Sequence, residues 1–174
     1  MRTPHREPLD FDALFDDVYP KLRRYCMRMT ADRDLAEDTA QEAFVRLLDR
    51  EVKGGDAGVR SWLFKVATHL LRDRARVRSN RLRLLESRGS DGLPGPAPGP
   101  DPAEELEREE RRQVVREALA RLDERDRTLL LLREEGLSYR ELARVAGVEV
   151  ASVGTLLARS RRRLERELTA PVDT

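Results

Sequence analysis

Four arginines, Arg159, Arg161, Arg162 and Arg163, follow Ser152 and Thr155 in the stretch "VASVGTLLARSRRRL". A guanidinium presents a fork of donors that fits the two acceptors of a guanine edge or a pair of phosphate oxygens, and a hydroxyl can reach either kind. At helical spacing Ala151, Ser152, Gly154, Thr155, Ala158 and Arg159 fall on the outward side, with the arginine cluster on the following turns. Tyr139 and Arg140 stand beside Ser138 at the start of the preceding helix, where unpaired backbone N–H groups attract an anion such as the DNA backbone. This is chemistry for holding nucleic acid. The same residues also describe a surface helix with a solvated basic face.

Covalent chemistry has much less to build on. The histidines are His5 and His69, and Cys26 is the single cysteine, which rules out an internal disulfide and a Cys-rich zinc site. There is no Gly-rich phosphate loop, no His-Glu pair at metal spacing and no serine in a nucleophile elbow. The sequence predicts no enzyme, no metal and no small-molecule cofactor.

The elements that position these residues read as follows. Gly136 stops a short buried helix built on "TLLLL". Ser138 caps the next helix, and Glu141 three residues on completes a capping box. Gly147 supplies the positive φ of a tight corner. Val148, Val153 and Leu157 then pack the last helix onto Leu142 and Val145, as in a helix-turn-helix. Upstream, Val115, Ala118, Leu119 and Leu122 form one more helical stripe.

The other half of the chain is also helical. Phe11, Leu14, Phe15, Val18 and Leu22 are spaced for a helix, in which Pro20 predicts a kink or break. A second helix follows "TADRD", with Ala36, Ala40, Ala43, Phe44, Leu47 and Leu48 as its stripe. "VKGGDAG" reads as a loop, and a third helix starts at Val59. Between the halves, Ser87 to Glu105 holds five prolines and four glycines and is expected to be an extended, mobile linker. The composition, 39% apolar and 39% charged with few aromatics, suits helices better than a strand-rich core. The fold class predicted is all-α: a helical domain over 1–86, a linker over 87–103, a helix-turn-helix domain over 104–168 and a disordered tail over 169–174.

Net charge is only +1, but its distribution is uneven. Residues 60–85 carry eight basic side chains against one acid, 104–135 eight against eleven, and 136–168 seven against four. Two basic blocks flank an acidic one, so the positive potential is local. No stretch has the apolar core of a signal peptide or the length of a membrane span, and a cytoplasmic protein without membrane insertion is expected.

Three blocks in this order resemble the group IV, or extracytoplasmic-function, sigma factors of bacterial RNA polymerase. "DRDLAEDTAQEAFVRLL" is similar to that family's region 2.1–2.2, "RSWLFKVATHLLRDRARVR" to region 2.3–2.4, and "LARLDERDRTLLLLREEGLSYRELARVAGVEVASVGTLLARSRRRL" to region 4. The resemblance implies that the first domain binds the polymerase clamp, with Asp34, Asp38, Gln41, Glu42 and Phe44 near that surface. It implies that Trp62, Lys65, His69, Arg72 and Arg76 hold and open the −10 element, where an unstacked base needs a pocket, a stacking surface and a basic helix for its phosphates. The second domain would read the −35 element through Ser152, Thr155, Arg159, Arg161, Arg162 and Arg163, grip the backbone through Ser138, Tyr139 and Arg140, and rest on the polymerase flap. An anti-sigma factor is the further partner the family suggests.

The sequence departs from the family pattern at several places. His69 stands where Asn is usual and Lys53 where an aromatic is common. In the recognition helix a basic residue becomes Gly154, another becomes Leu156, and an aromatic or imidazole becomes Ala158. Base readout is thereby left to Thr155 and Arg159, with the arginines supplying sequence-independent grip. The rival readings are a repressor acting without polymerase, which predicts symmetric sites, and a helical protein-binding adaptor, which predicts no nucleic-acid affinity.

Overall fold

The computed structural model describes residues 10–50, 52, 53, 55–84 and 102–169, and the side chains among them apart from 79–84 and 102–106. Every element in that set is an α-helix: α1 (Phe11–Thr30), α2 (Arg33–Leu48), α3 (Gly55–Leu84), α4 (Pro102–Arg121), α5 (Glu124–Glu134), α6 (Tyr139–Ala146) and α7 (Val150–Thr169). The expected linker, 87–103, lies outside the described residues as far as 101, but Pro102 and Ala103 already belong to α4, since proline is tolerated in a helix's first turn; of the expected tail, 169–174, Thr169 ends α7 and 170–174 lie outside the described residues.

Local sequence sets the helix starts. Asp10, Asp32 and Asp123 each accept a hydrogen bond from the amide three residues on, at 3.0, 2.9 and 2.8 Å. Ser138 does the same for Glu141, whose carboxylate accepts in return from the Ser138 amide at 2.8 Å, so the predicted capping box is present. Gly147 closes α6 at φ 66°, the left-handed turn expected there.

Three expectations are corrected. First, Pro20 does not break α1, which runs unbroken to Thr30. Pro20 and Asp16 both face solvent, the side of a helix on which a missing N–H costs least. Second, α3 begins at Gly55 rather than Val59. A Cβ at Gly58 would lie 2.4 Å from the Lys53 carbonyl oxygen, so the glycine belongs to the first turn, where the incoming backbone crosses closely. Third, Leu48 and Val115, assigned to apolar stripes, are 69% and 42% exposed.

Helices α1–α3 form one bundle and α4–α7 a second. The bundles are docked, with α3 against α6 and α1 against α5. One contiguous apolar cluster runs from Leu14, Leu22, Phe44 and Leu63 in the first to Leu129, Leu132, Leu142 and Leu157 in the second. Charged pairs bind the rim of the joint. Arg60 forks onto both oxygens of Glu141 at 2.7 and 2.9 Å. Arg24 Nε reaches both oxygens of Glu135 at 2.9 and 3.1 Å, and the Glu135 carboxylate has no exposed surface. Arg72 pairs with Glu124. Beneath them Tyr25 is fully buried, its hydroxyl 2.8 Å from that of Thr68, and burial pushes its phenol up to about 12.

Candidate nucleic-acid and polymerase interfaces

Helix α7 buries Val153, Leu157 and Ser160 and turns Ser152, Thr155, Arg159 and Arg162 to solvent at successive steps of three, four and three residues. That spacing puts the four on one stripe. Arg166 continues it one turn further and was missed, because the sequence reading stopped at the arginine cluster. Arg161 is exposed beside the stripe.

Arg163 lies on the opposite flank. Its guanidinium pairs with Asp126 and sits 3.3 Å from Asp123, both on the α5 side. Asp126 also accepts a 2.6 Å bond from the Ser160 hydroxyl. Burial alone would raise the Asp126 carboxyl, yet the bonds from Ser160 and Arg163 outweigh it and hold the group below the usual carboxylate range. Here the Arg163 guanidinium fastens α7 onto α5 and stands off the outward stripe, with its side chain 46% exposed. Leu156 is half-buried against the core, so at that position the departure from a basic residue serves packing.

Ser138, Tyr139 and Arg140 are exposed together at the start of α6. The Ser138 hydroxyl donates to Glu141 at 2.7 Å and is occupied by the cap. Tyr139, 45% exposed, is held from two sides. Arg133 lies over its ring, 5.6 Å from the centroid, while a Cβ on Gly154 would meet its Cε2 at 3.6 Å. Arg133 itself is fixed by a 2.9 Å bond to the Leu137 carbonyl. No sequence signal linked Arg133, Tyr139 and Gly154, which come from three different helices.

On α3, Trp62, Lys65, His69, Arg72 and Arg76 follow one another by three, four, three and four residues and form a single stripe. Trp62 is half-buried on the core, and the other four are exposed. Leu70, beside His69, is buried. The inner face, Val59, Leu63, Phe64, Ala67 and Leu71, anchors the helix in the bundle.

On α2, Asp34, Asp38 and Gln41 are exposed at steps of four and three, and Val45 and Leu48 extend the stripe while 55% and 69% exposed. Glu42 stands beside it, paired with Arg46 at 2.8 Å. Phe44 does not belong to this surface. It is 4% exposed and meets Phe15 edge-on at 5.0 Å, with Phe11 and Tyr19 around it. It shares a face with Ala36, Ala40, Ala43 and Leu47, all turned to the core. The apolar pair Val45 and Leu48 is what the sequence reading missed, since an apolar residue near a stripe edge reads as core.

Among the described residues no helix is long and apolar enough to cross a membrane, and no three His, Cys, Asp or Glu side chains are grouped to hold a metal.

Residues 14–81 match the model of sigma-70 region 2, and residues 112–164 that of sigma-70 region 4. The chain is 30% identical to the ECF RNA polymerase sigma factor SigW of Bacillus subtilis (strain 168) over 91% of its own length and 90% of that protein. The chain belongs to the ECF RNA polymerase sigma factors. It is also 29% identical to RNA polymerase sigma factor YlaC of the same organism, over 95% of this chain and 94% of that one. The fold is similar to that of the sigma factor RpoE solved with the anti-sigma factor NepR from Bartonella quintana, with a TM-score of 0.68 and 22% identity over 95% of this chain and 99% of that one. It is similar too to CnrH solved with the cytosolic domain of CnrY, at 0.61 and 23%, covering 93% and 89%. In this sigma factor the α2 and α3 stripes fall within the region 2 match, and the α6–α7 surface within the region 4 match.

Proposed function

We propose that this sigma factor binds the bacterial RNA polymerase core and directs it to promoters, where it helps to separate the strands. The reading rests on three exposed stripes of different chemistry on three helices. The α2 stripe mixes acids with Val45 and Leu48, which suits a protein partner better than DNA, because an apolar patch flanked by charge gains by leaving water. We assign it to the polymerase clamp. The α3 stripe combines a ring, an imidazole and three cations, and is the surface for the −10 element. Lys65, Arg72 and Arg76 would track phosphates there, and Trp62 and His69 offer faces for an unstacked base.

Helix α7 enters the −35 major groove with Ser152, Thr155, Arg159 and Arg162, while Tyr139 and Arg140 grip the backbone. Arg161 and Arg166 add phosphate contacts at its far end. The second domain also rests on the polymerase flap, and an anti-sigma factor is the expected regulator, acting in the cytoplasm. No catalytic step is assigned to this chain.

The test is transcription reconstituted from purified core polymerase, this protein and genomic promoter fragments. The expected outcome is a set of start sites that need the protein and share an upstream two-part element. Footprints on symmetric sites without polymerase, and no initiation, would overturn the reading in favour of a repressor.

A further inference from the structure

Gly154 leaves a bare position on α7 where the family pattern has a basic side chain. At about 100° per residue it falls on one flank of the outward stripe, opposite the flank of Arg163. Ala151 and Ala158, three residues before it and four after, lie on the same flank and are exposed. Over these three positions α7 has no side chain longer than a methyl group to reach into a groove.

The space is taken from the neighbouring helix. Tyr139, the first residue of α6, lays its ring beside Gly154, where an added Cβ would meet Tyr139 Cε2 at 3.6 Å. Arg133 of α5 stands over the ring, 5.6 Å from its centroid, and is itself held by the 2.9 Å bond it donates to the Leu137 carbonyl. A cation over the face of a ring is attracted to it and steadies its plane. These contacts do not bury the ring, since Tyr139 remains 45% exposed. A backbone contact needs only the phenol hydroxyl, whereas a ring seated against the recognition helix also brings its apolar edge to the groove face. In the major groove the apolar feature of a base edge is the thymine C5-methyl, which is met by simple contact. Ser152, Thr155 and Arg159 answer donors and acceptors, so the methyl is left to a group from elsewhere.

We infer that Tyr139 is a base-reading residue of this chain: its ring, seated beside Gly154 and steadied by Arg133, contacts the methyl of one thymine in the −35 element, in place of a side chain at position 154. The inference deepens the promoter-directing reading and rests on it. Backbone grip by the Tyr139 hydroxyl is compatible with it. The two are separable, because a methyl belongs to one base and a phosphate to every sequence. Arg133 is a positioning residue, acting through the ring.

The experiment uses holoenzyme assembled from purified core polymerase and the full chain, with a promoter library randomised over the −35 element. Wild-type holoenzyme should select a motif with thymine at one fixed position. Replacing that thymine by deoxyuridine, which removes only the methyl, should weaken binding about four-fold, the worth of one methyl taken out of water. Tyr139→Phe should keep this discrimination, and Tyr139→Ala should bind the thymine and uracil promoters equally. Arg133→Met should reduce the discrimination without abolishing it. Gly154→Lys, whose side chain must cross the ring's seat, should lose the thymine preference and gain one for guanine at that position. No motif from wild-type holoenzyme would overturn the promoter-directing reading, and this inference with it. A motif whose thymines all tolerate uracil would overturn the inference alone. Equal weakening of every sequence by Tyr139→Ala, with the uracil discrimination intact, would do the same, since that is the mark of a phosphate or polymerase contact. The uracil comparison is made on the wild-type chain, so it decides the matter even if Tyr139→Ala folds poorly.

Discussion

Phe44 and Leu48 lie one turn apart on α2 and do opposite things. Phe44 is 4% exposed inside a cluster of four aromatic rings, whereas Leu48 is 69% exposed. Truncating the buried ring removes its packing and leaves a cavity that the surrounding rings fill only in part, so Phe44→Ala should cost about 3–5 kcal/mol in urea unfolding. Leu48→Asp should change stability by no more than about 0.5 kcal/mol, as an exposed position does, but should weaken co-purification with core polymerase. A variant of Leu48 that bound core polymerase normally would remove the residue from that surface. Gly154 invites the reverse experiment. It costs α7 roughly 1 kcal/mol relative to alanine, and a methyl group there would make only ordinary contact with Tyr139, at 3.6 Å. Gly154→Ala should therefore raise the melting temperature by about 2–4 °C, using the slope for a chain of this size. A fall in melting temperature would mean that Tyr139 cannot yield.

At the scale of the element, the start of α6 joins two tasks in one carboxylate. Glu141 completes the capping box on Ser138 and also takes the Arg60 fork across the joint. Burial would raise its pKa, but the bonds from Arg60 and Ser138 outweigh burial and hold it below the usual range, and Asp126 is lowered likewise through Ser160 and Arg163. A carboxylate with a depressed folded pKa stabilises the fold above its unfolded value, about 4 for these groups. That contribution is lost as pH falls through the folded value. Melting temperature should be nearly flat between pH 8 and 5 and fall below about pH 4, and the fall should shrink in Arg60→Met; an unchanged profile would show that the pair contributes nothing. The cap, the glycine corner and the outward stripe of α7 were legible in sequence because each depends on residues within a few positions of one another. The commitment of Arg163 to Asp126 was not, because its partner lies 37 residues away on another helix. The same holds for Leu48, where period alone does not say how wide a face the neighbouring helix covers. The fate of Arg60 was hidden too, since nothing local distinguishes an arginine that meets a carboxylate from one that meets a phosphate.

For the whole molecule the decisive quantity is the coupling between its halves. Two domains on one chain meet at an effective concentration in the millimolar range when the connection is short, and only 17 residues, 85–101, separate α3 from α4. An intrinsic affinity in the ten-micromolar range would then keep the chain about 99% docked, an advantage of about 2.7 kcal/mol. A joint of this strength has a calorimetric signature. Because the apolar cluster is continuous across the joint, the free chain should unfold in one transition, with calorimetric and van't Hoff enthalpies nearly equal. Arg24→Glu with Arg60→Glu puts a negative charge against Glu135 and Glu141, so the joint should fail before either bundle does. The single transition should then divide into two, the less stable bundle melting first. Two transitions already present in the wild-type chain would mean that the halves touch without stabilising each other.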